Sequence, residues 1–137
     1  MDECDVERND EGYIELKSYF DGYSVFDYCK PSSLVKYLCS MVLANDFIVM
    51  DFFAGSGTTA DAVMQLNAED EGTRRHISVQ LPEPCKNDSA ASKRGFSNIA
   101  EVAKTRIRKA GERVREVSSL FSGDLGFRVF KLDSSNI

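Results

Sequence analysis

The chain has one histidine, His76, and four cysteines, Cys4, Cys29, Cys39 and Cys85, spaced too widely for a C-x-x-C pair. That excludes a zinc knuckle or a dithiol redox motif, since both need their ligands within a few residues of each other, and the thiols read as ordinary cytosolic ones. No apolar stretch approaches the roughly 20 residues that span a bilayer. The acidic start lacks the basic and apolar regions of a signal peptide, so the expected location is the cytoplasm, with no membrane partner. Prolines number three, Pro31, Pro82 and Pro84, and none adjoins another.

What remains is the composition of a folded domain, with 137 residues, 42% hydrophobic and 28% charged. That length holds one core, but fewer strands than a complete doubly wound catalytic domain usually needs. The net charge of -5 excludes a histone-like binder that works by bulk phosphate neutralisation. The average hides an asymmetry. Residues 1–15 carry seven acids (Asp2, Glu3, Asp5, Glu7, Asp10, Glu11, Glu15) against Arg8, whereas residues 93–116 carry eight bases against Glu101, Glu112 and Glu116.

Periodicity orders the elements. The first 12 residues read as polar and frayed, followed by an aromatic stretch from Tyr13 to Tyr28 that forms short strands or a packed loop and serves core packing or a missing half better than nucleic-acid stacking. Pro31 suits a first helical turn, and Leu34, Val35, Leu38, Cys39 and Val42 give 31–43 a core-facing stripe. Phe47–Phe52 reads as a central parallel strand covered on both faces, and His76–Leu81 as a second strand stopped by Pro82. Asn98 with Glu101 has capping-box spacing ahead of a long helix striped by Ile99, Ala103, Ile107, Ala110, Val114 and Val117. On that helix Arg106, Lys109 and Arg113 share a flank expected to be exposed, a candidate phosphate contact whose plainer reading is solvated surface. Phe127, Val129 and Leu132 alternate as a final edge strand.

The most informative segment is Asp51-Phe52-Phe53-Ala54-Gly55-Ser56-Gly57-Thr58-Thr59, set between the first strand and a helix. Gly55 and Gly57 permit a tight turn and close approach to a ligand, and the helix start supplies unpaired N–H groups. No G-K-[ST] follows and the third glycine of the dinucleotide fingerprint is missing, so both nucleotide classes lose ground. Asp51 at the strand end opposes polyphosphate; it accepts hydrogen bonds either from an ammonium or from the amides that shape the loop. At the next strand end Gln80 or Glu83 faces the same crevice, in position for ribose hydroxyls, beside the apolar Leu81 and Pro82. His76 reads as a strand-boundary residue, and Cys85 has nothing evident to activate it.

With these residues in view, the chain resembles the carboxy-terminal part of the modification subunit of type III restriction-modification systems, site-specific DNA adenine N6-methyltransferases that use S-adenosylmethionine. Four blocks carry the resemblance in the family's order: Lys30-Pro31-Ser32-Ser33-Leu34; Asp51 to Thr59 and on through Val63-Met64-Gln65-Leu66-Asn67; Ile77-Ser78-Val79-Gln80-Leu81-Pro82-Glu83; and GFRVFKLDSSN from Gly126 to Asn136. The resemblance implies an α/β fold: a partial Rossmann-like methyltransferase fold of three layers with a truncated parallel sheet. It divides the chain into an acidic, irregular lead at 1–24 and a partial cofactor-binding domain at 25–137.

It also implies a cofactor site of Lys30, Pro31, Asp51, Phe52, Phe53, Ala54, Gly55, Ser56, Gly57, Thr58, Gln80 and Glu83. Phe53, Ala54, Gly55 and Gly57 would line the methionine end, Asp51 would orient that end or the loop, and Gln80 or Glu83 would reach the ribose. Related methyltransferases often have an acid where Gln80 stands, which shifts weight to Glu83. The family holds the acceptor amine with an Asp-Pro-Pro-aromatic segment ahead of the glycine loop, and this sequence has none. No catalytic residue or metal ligand is therefore assigned. The expectation is a cofactor-binding part that is inactive alone and works with DNA only when joined by a missing amino-terminal half or a modification or restriction subunit, or as a homodimer. The competing expectations are a non-catalytic partner module and a decayed structural remnant.

Overall fold

The computed structural model describes residues 3–134, with side chains from Asp10 onward. Cys4, the acids from Asp2 to Glu7, and Ser135 and Asn136 of the last family block lie outside what is described of side chains or backbone. Seven elements follow one another: α1 (Glu3–Tyr19), α2 (Ser32–Ser40), β1 (Ile48–Asp51), α3 (Thr58–Asp70), β2 (Arg75–Ser78), α4 (Ala90–Lys93) and α5 (Ile99–Val117). No helix among them is long and apolar enough to cross a membrane.

Strands β1 and β2 pair in parallel with Met50 opposite Ile77 and Asp51 opposite Ser78, joined through α3 as a βαβ unit requires. The ladder runs one step past β2, where Val79 N–H donates to Asp51 O at 2.8 Å and Ala54 N–H to Val79 O at 3.1 Å. That step ties the glycine turn to the second strand. Helix α3 lies on the sheet, with α2 and α5 against α3 and α1 across α5.

The α/β class and the parallel pairing agree with the sequence, but the third layer is not found among the described residues. Side chains alternate along a strand, and on one face Ile48, Met50, Phe52, Ile77, Val79 and Leu81 are all exposed. Strand β1 is therefore not covered on both faces, contrary to its apolar run. Likewise α2 ends at Ser40, short of the expected 43, and of the expected stripe only Cys39 is buried, while Leu34 and Leu38 on the helix and Val42 beyond it are exposed.

The start of the chain also differs from its polar appearance. Helix α1 runs to Tyr19, and Leu16, Tyr19 and Phe20 join Met64, Val102, Ile107, Ala110 and Val114 in the core. Among its described residues Tyr13 and Ile14 are exposed while Leu16 and Tyr19 are buried, so no apolar stripe announces the helix. Gly12 lets it dock: a Cβ there would stand 2.6 Å from Cys29 O and 2.7 Å from Pro31 N, so the backbone of 29–31 crosses directly against the helix. Cys29 returns a thiol hydrogen bond to Gly12 O at 3.0 Å.

Helix α5 starts as its capping residue predicts, with Asn98 Oδ1 accepting from Glu101 N–H at 3.0 Å. Glu101 does not complete the box; its carboxylate pairs with Lys104 instead. The stretch from Gly126 to Leu132 forms no strand. Leu125 just before it is in the core and Phe127 packs against that core, while Val129, Phe130 and Leu132 are exposed.

The expected basic flank is used up by packing. Arg106 is fully buried, Lys109 donates to Tyr19 O at 2.7 Å, and Arg113 stacks on the Tyr19 ring at 3.7 Å while donating to Ser18. These cations join α5 to α1, which is why they are not a free surface for phosphate; Arg108 and Arg115 are the bases of this helix that stay exposed.

Candidate functional site

The carboxyl ends of parallel strands are where α/β sheets bind ligands, because the loops there splay apart and helix amino ends point at the opening. Here that end is built from the turn after β1, the extension of β2 and the segment before α2. Asp51 closes the turn with both carboxylate oxygens: Oδ1 accepts from Phe53 N–H at 2.9 Å and Oδ2 from Thr59 Oγ at 2.7 Å. Of its two sequence-derived roles, holding the loop is thus directly visible. Each oxygen keeps a further lone-pair direction for another donor.

Gly55 and Gly57 adopt φ of +53° and +86°, the left-handed region that glycine enters without a Cβ penalty. Gly57 is the N-cap of α3 and brings no side chain to its unpaired amides, so the helix start keeps donors in hand. A Cβ on Gly57 would lie 3.2 Å from both Ala103 O and Ile107 Cγ1, which seats the turn on α5. Gly55 turns toward Phe26, whose ring would be 3.3 Å from an added Cβ.

Gln80 and Glu83, left as alternatives by the sequence, are placed differently. Gln80 Oε1 accepts from Gly55 N–H at 2.7 Å and its amide nitrogen donates to Leu81 O, so this side chain braces the turn. A carboxylate at 80 would do the first and not the second, which gives the neutral amide a reason. Glu83 is exposed; its backbone, not its side chain, is engaged, with its carbonyl accepting from Ile99 N–H at 2.9 Å. Lys30 is exposed but its carbonyl accepts from Thr58 Oγ at 3.1 Å, and Pro31 is buried at the start of α2. Phe52 and Phe53 are exposed apolar faces at the rim, Phe53 90% so, while Ala54, Ser56, Gly57 and Thr58 are buried. Hydrogen bonds therefore tie the Lys30–Pro31 segment, Asp51, the whole turn and Gln80 together at the carboxyl ends of the strands, with Glu83 three residues further along the chain.

Beneath the turn lies a polar cluster that sequence reading missed. Asp61, fully buried on α3, accepts from Arg106 Nε and Nη2 at 3.1 and 2.9 Å, from Tyr19 Oη at 3.1 Å and from Gln65 Nε2 at 2.8 Å. Every partner a buried carboxylate needs is supplied, without which its burial would be prohibitive. Burial first, and then the Asp61 carboxylate, raise the Tyr19 hydroxyl far above its ordinary value, so it stays a donor. The signal for Arg106 was in the spacing: it stands three residues after Ala103 and four before Ala110, on the apolar stripe itself.

Comparison with known proteins accords with this arrangement. A profile of the DNA methylase family, covering N6 and N4 enzymes, matches residues 5–102. The chain is 39% identical over 126 residues to the type III restriction-modification enzyme StyLTI Mod subunit of Salmonella typhimurium, covering 92% of this chain and 19% of that protein. It is 39% identical over 119 residues to the EcoP15I Mod subunit of Escherichia coli, covering 86% and 17% respectively. The type II methyltransferase M.KpnI of Klebsiella pneumoniae is 35% identical over 86 residues, 63% of this chain and 21% of that enzyme. The chain thus spans about a fifth of the length of these curated relatives. The family match over most of the sequence, with the shared type III Mod relatives, shows that this chain belongs to the DNA methylase family.

Proposed function

We propose that the chain is the cofactor-binding part of a site-specific DNA adenine N6-methyltransferase, holding S-adenosylmethionine at the glycine turn. The observation that carries this is the convergence of Asp51, Gly55, Gly57 and Gln80 with the amino end of α3, which has no side-chain cap, at the carboxyl ends of two parallel strands. The donor set suits the ligand. Its carboxylate matches the unpaired amides at the helix start, and its ammonium matches the spare lone pairs of Asp51. Its ribose diol finds an acceptor in Gln80 or Glu83, and its adenine finds apolar surface on Leu81 and Pro82. When bound, the cofactor supplies an electrophilic methyl group. The residues of this chain bind it and fix its orientation, and Asp51 keeps the turn closed around it.

No Asp-Pro-Pro-aromatic segment is present to hold an acceptor amine, so the chain alone binds but does not transfer. The exposed face of Ile48, Met50, Phe52, Ile77, Val79 and Leu81 supports the companion reading that further polypeptide, the amino-terminal portion of the enzyme or a modification or restriction subunit, covers the sheet. DNA is then the substrate of the assembled enzyme. Calorimetric titration with S-adenosylmethionine tests the binding, comparing the native chain with Gly55→Val, which places a branched side chain at positive φ against Phe26. Saturable binding lost in the variant is expected; no heat at millimolar cofactor would refute it. Methyl incorporation into DNA by the chain alone, above the Gly55→Val blank, would refute inactivity.

A further inference from the structure

Among the described residues Arg106 is the largest fully buried side chain, and its donors are divided in a way that an ion pair alone does not require. Nε and Nη2 go to Asp61, while Nη1 goes to Ser56 Oγ at 3.1 Å and Thr58 Oγ at 2.9 Å, the residues on either side of Gly57. Thr58 Oγ passes the link to Lys30 O at 3.1 Å. On the far side Nη2 stands 3.7 Å from Glu15, whose carboxylate receives Ser32 N–H at 2.9 Å at the start of α2. One planar guanidinium thereby connects α5 to the turn after β1 and, by way of Thr58 and of Glu15, to both ends of the segment leading into α2.

We propose that Arg106 is a positioning residue for the methyl-donor site. It fixes the separation of the Lys30–Pro31 segment and the Gly55–Thr58 turn before any ligand arrives, so that binding does not have to order them. This rests on the reading of the glycine turn as the cofactor site. A buried pair kept for stability would need only Asp61, and such pairs are often replaceable by apolar residues. The fork to Ser56 and Thr58 serves the loop instead. Arginine suits the task because its five donors lie in one plane and point in fixed directions, whereas a lysine ammonium can satisfy Asp61 but cannot hold both hydroxyls in one geometry. Preorganisation of this kind is expressed as affinity.

Three proteins separate this role from mere stability: the native chain, Arg106→Lys, and Val102→Ala, which removes buried volume on the same helix without a polar link to the turn. Amide hydrogen exchange is read at Ser56, Gly57 and Thr58 relative to amides in the middle of α5, and S-adenosylmethionine affinity is measured by calorimetry. Arg106→Lys is expected to speed exchange of the turn tenfold or more relative to α5 and to weaken the cofactor at least tenfold. Val102→Ala is expected to shift the turn and α5 together and leave affinity within threefold. Unchanged relative exchange in Arg106→Lys overturns the positioning role whatever the cofactor does. A turn loosened in Arg106→Lys, together with a native chain that binds no cofactor, supports the positioning of the loop and overturns its assignment as the cofactor site. If Arg106→Lys does not fold, Thr58→Val keeps the Arg106–Asp61 pair whole and is read for the same loosening of the turn.

Discussion

Replacing Gly57 by alanine separates two costs that the structure combines at one residue. Gly57 and Gly95 share a φ of +86°, but a Cβ on Gly95 would meet nothing within 4 Å, whereas on Gly57 it would press at 3.2 Å on Ala103 O and Ile107 Cγ1. A left-handed alanine costs about 1–2 kcal/mol, and the stiffer unfolded chain returns about 0.4–1 kcal/mol. Gly95→Ala is therefore expected to lose about 1 kcal/mol. At Gly57 the crowding adds about 1–3 kcal/mol, typical of overpacking, because the carbonyl of Ala103 is bonded into α5 and cannot yield alone. The expected loss is about 2–4 kcal/mol. Urea unfolding of the three proteins reads this as a shift in midpoint at unchanged slope. Losses for the two variants equal to within about 0.5 kcal/mol would show that the turn is not seated on α5 as described.

Other perturbations follow from single contacts. Burial pushes the His76 imidazole below its ordinary value of about 6.5, so the unfolded chain takes up the proton first. Stability is whole above about pH 6.5 and falls below it; His76→Leu should remove that step in denaturation curves taken between pH 7 and 5, and an unchanged step would refute the assignment. The Tyr19 hydroxyl is held neutral above its ordinary value near 10, so the unfolded chain ionises first and stability falls as pH rises past about 10. Tyr19→Phe should flatten that fall while costing about 1 kcal/mol at neutral pH for the hydrogen bond taken from Asp61. Arg113→Ala should lose about 1–2 kcal/mol through its stacking on Tyr19 and bonds to Ser18, and the exposed Arg115→Ala stay within about 0.5 kcal/mol in the same assay.

Local chemistry was readable wherever it is decided locally. The strand, turn and helix around Asp51 to Thr59 follow from an apolar run, two glycines and a resumed helical period, and the start of α5 follows from Asn98. What could not be read was set by neighbours distant in sequence. Arg106 stands on the apolar stripe of its helix, but its partners cannot be read until Asp61 and Ser56 are brought to it from α3 and the turn. The start of the chain looks irregular because α1 owes its place to contacts of Leu16, Tyr19 and Phe20 with α5, and to Gly12 against residues 29–31, rather than to its own stripe. The open face of β1 misled in the opposite sense: a run suited to two-sided burial is present, while one of its covers is not among the described residues. Gln80 against Glu83 was undecidable from sequence because both follow the second strand, and only the ladder at Val79 shows which one meets Gly55.

The link between Asp61 and Arg106 also governs the order in which the chain can mature during synthesis. The two residues are 45 positions apart, and Lys109 reaches back 90 positions to Tyr19. At about 5–20 residues per second, a ribosome takes roughly 2–9 s to deliver the cation after the carboxylate. During that interval α3 and the glycine turn have no counter-charge to close over, and α1 has no helix to lie across. The domain is thus obliged to fold after most of it has emerged, with its first helix waiting for its last. A chain ending before Arg106 should show no cooperative unfolding transition by circular dichroism.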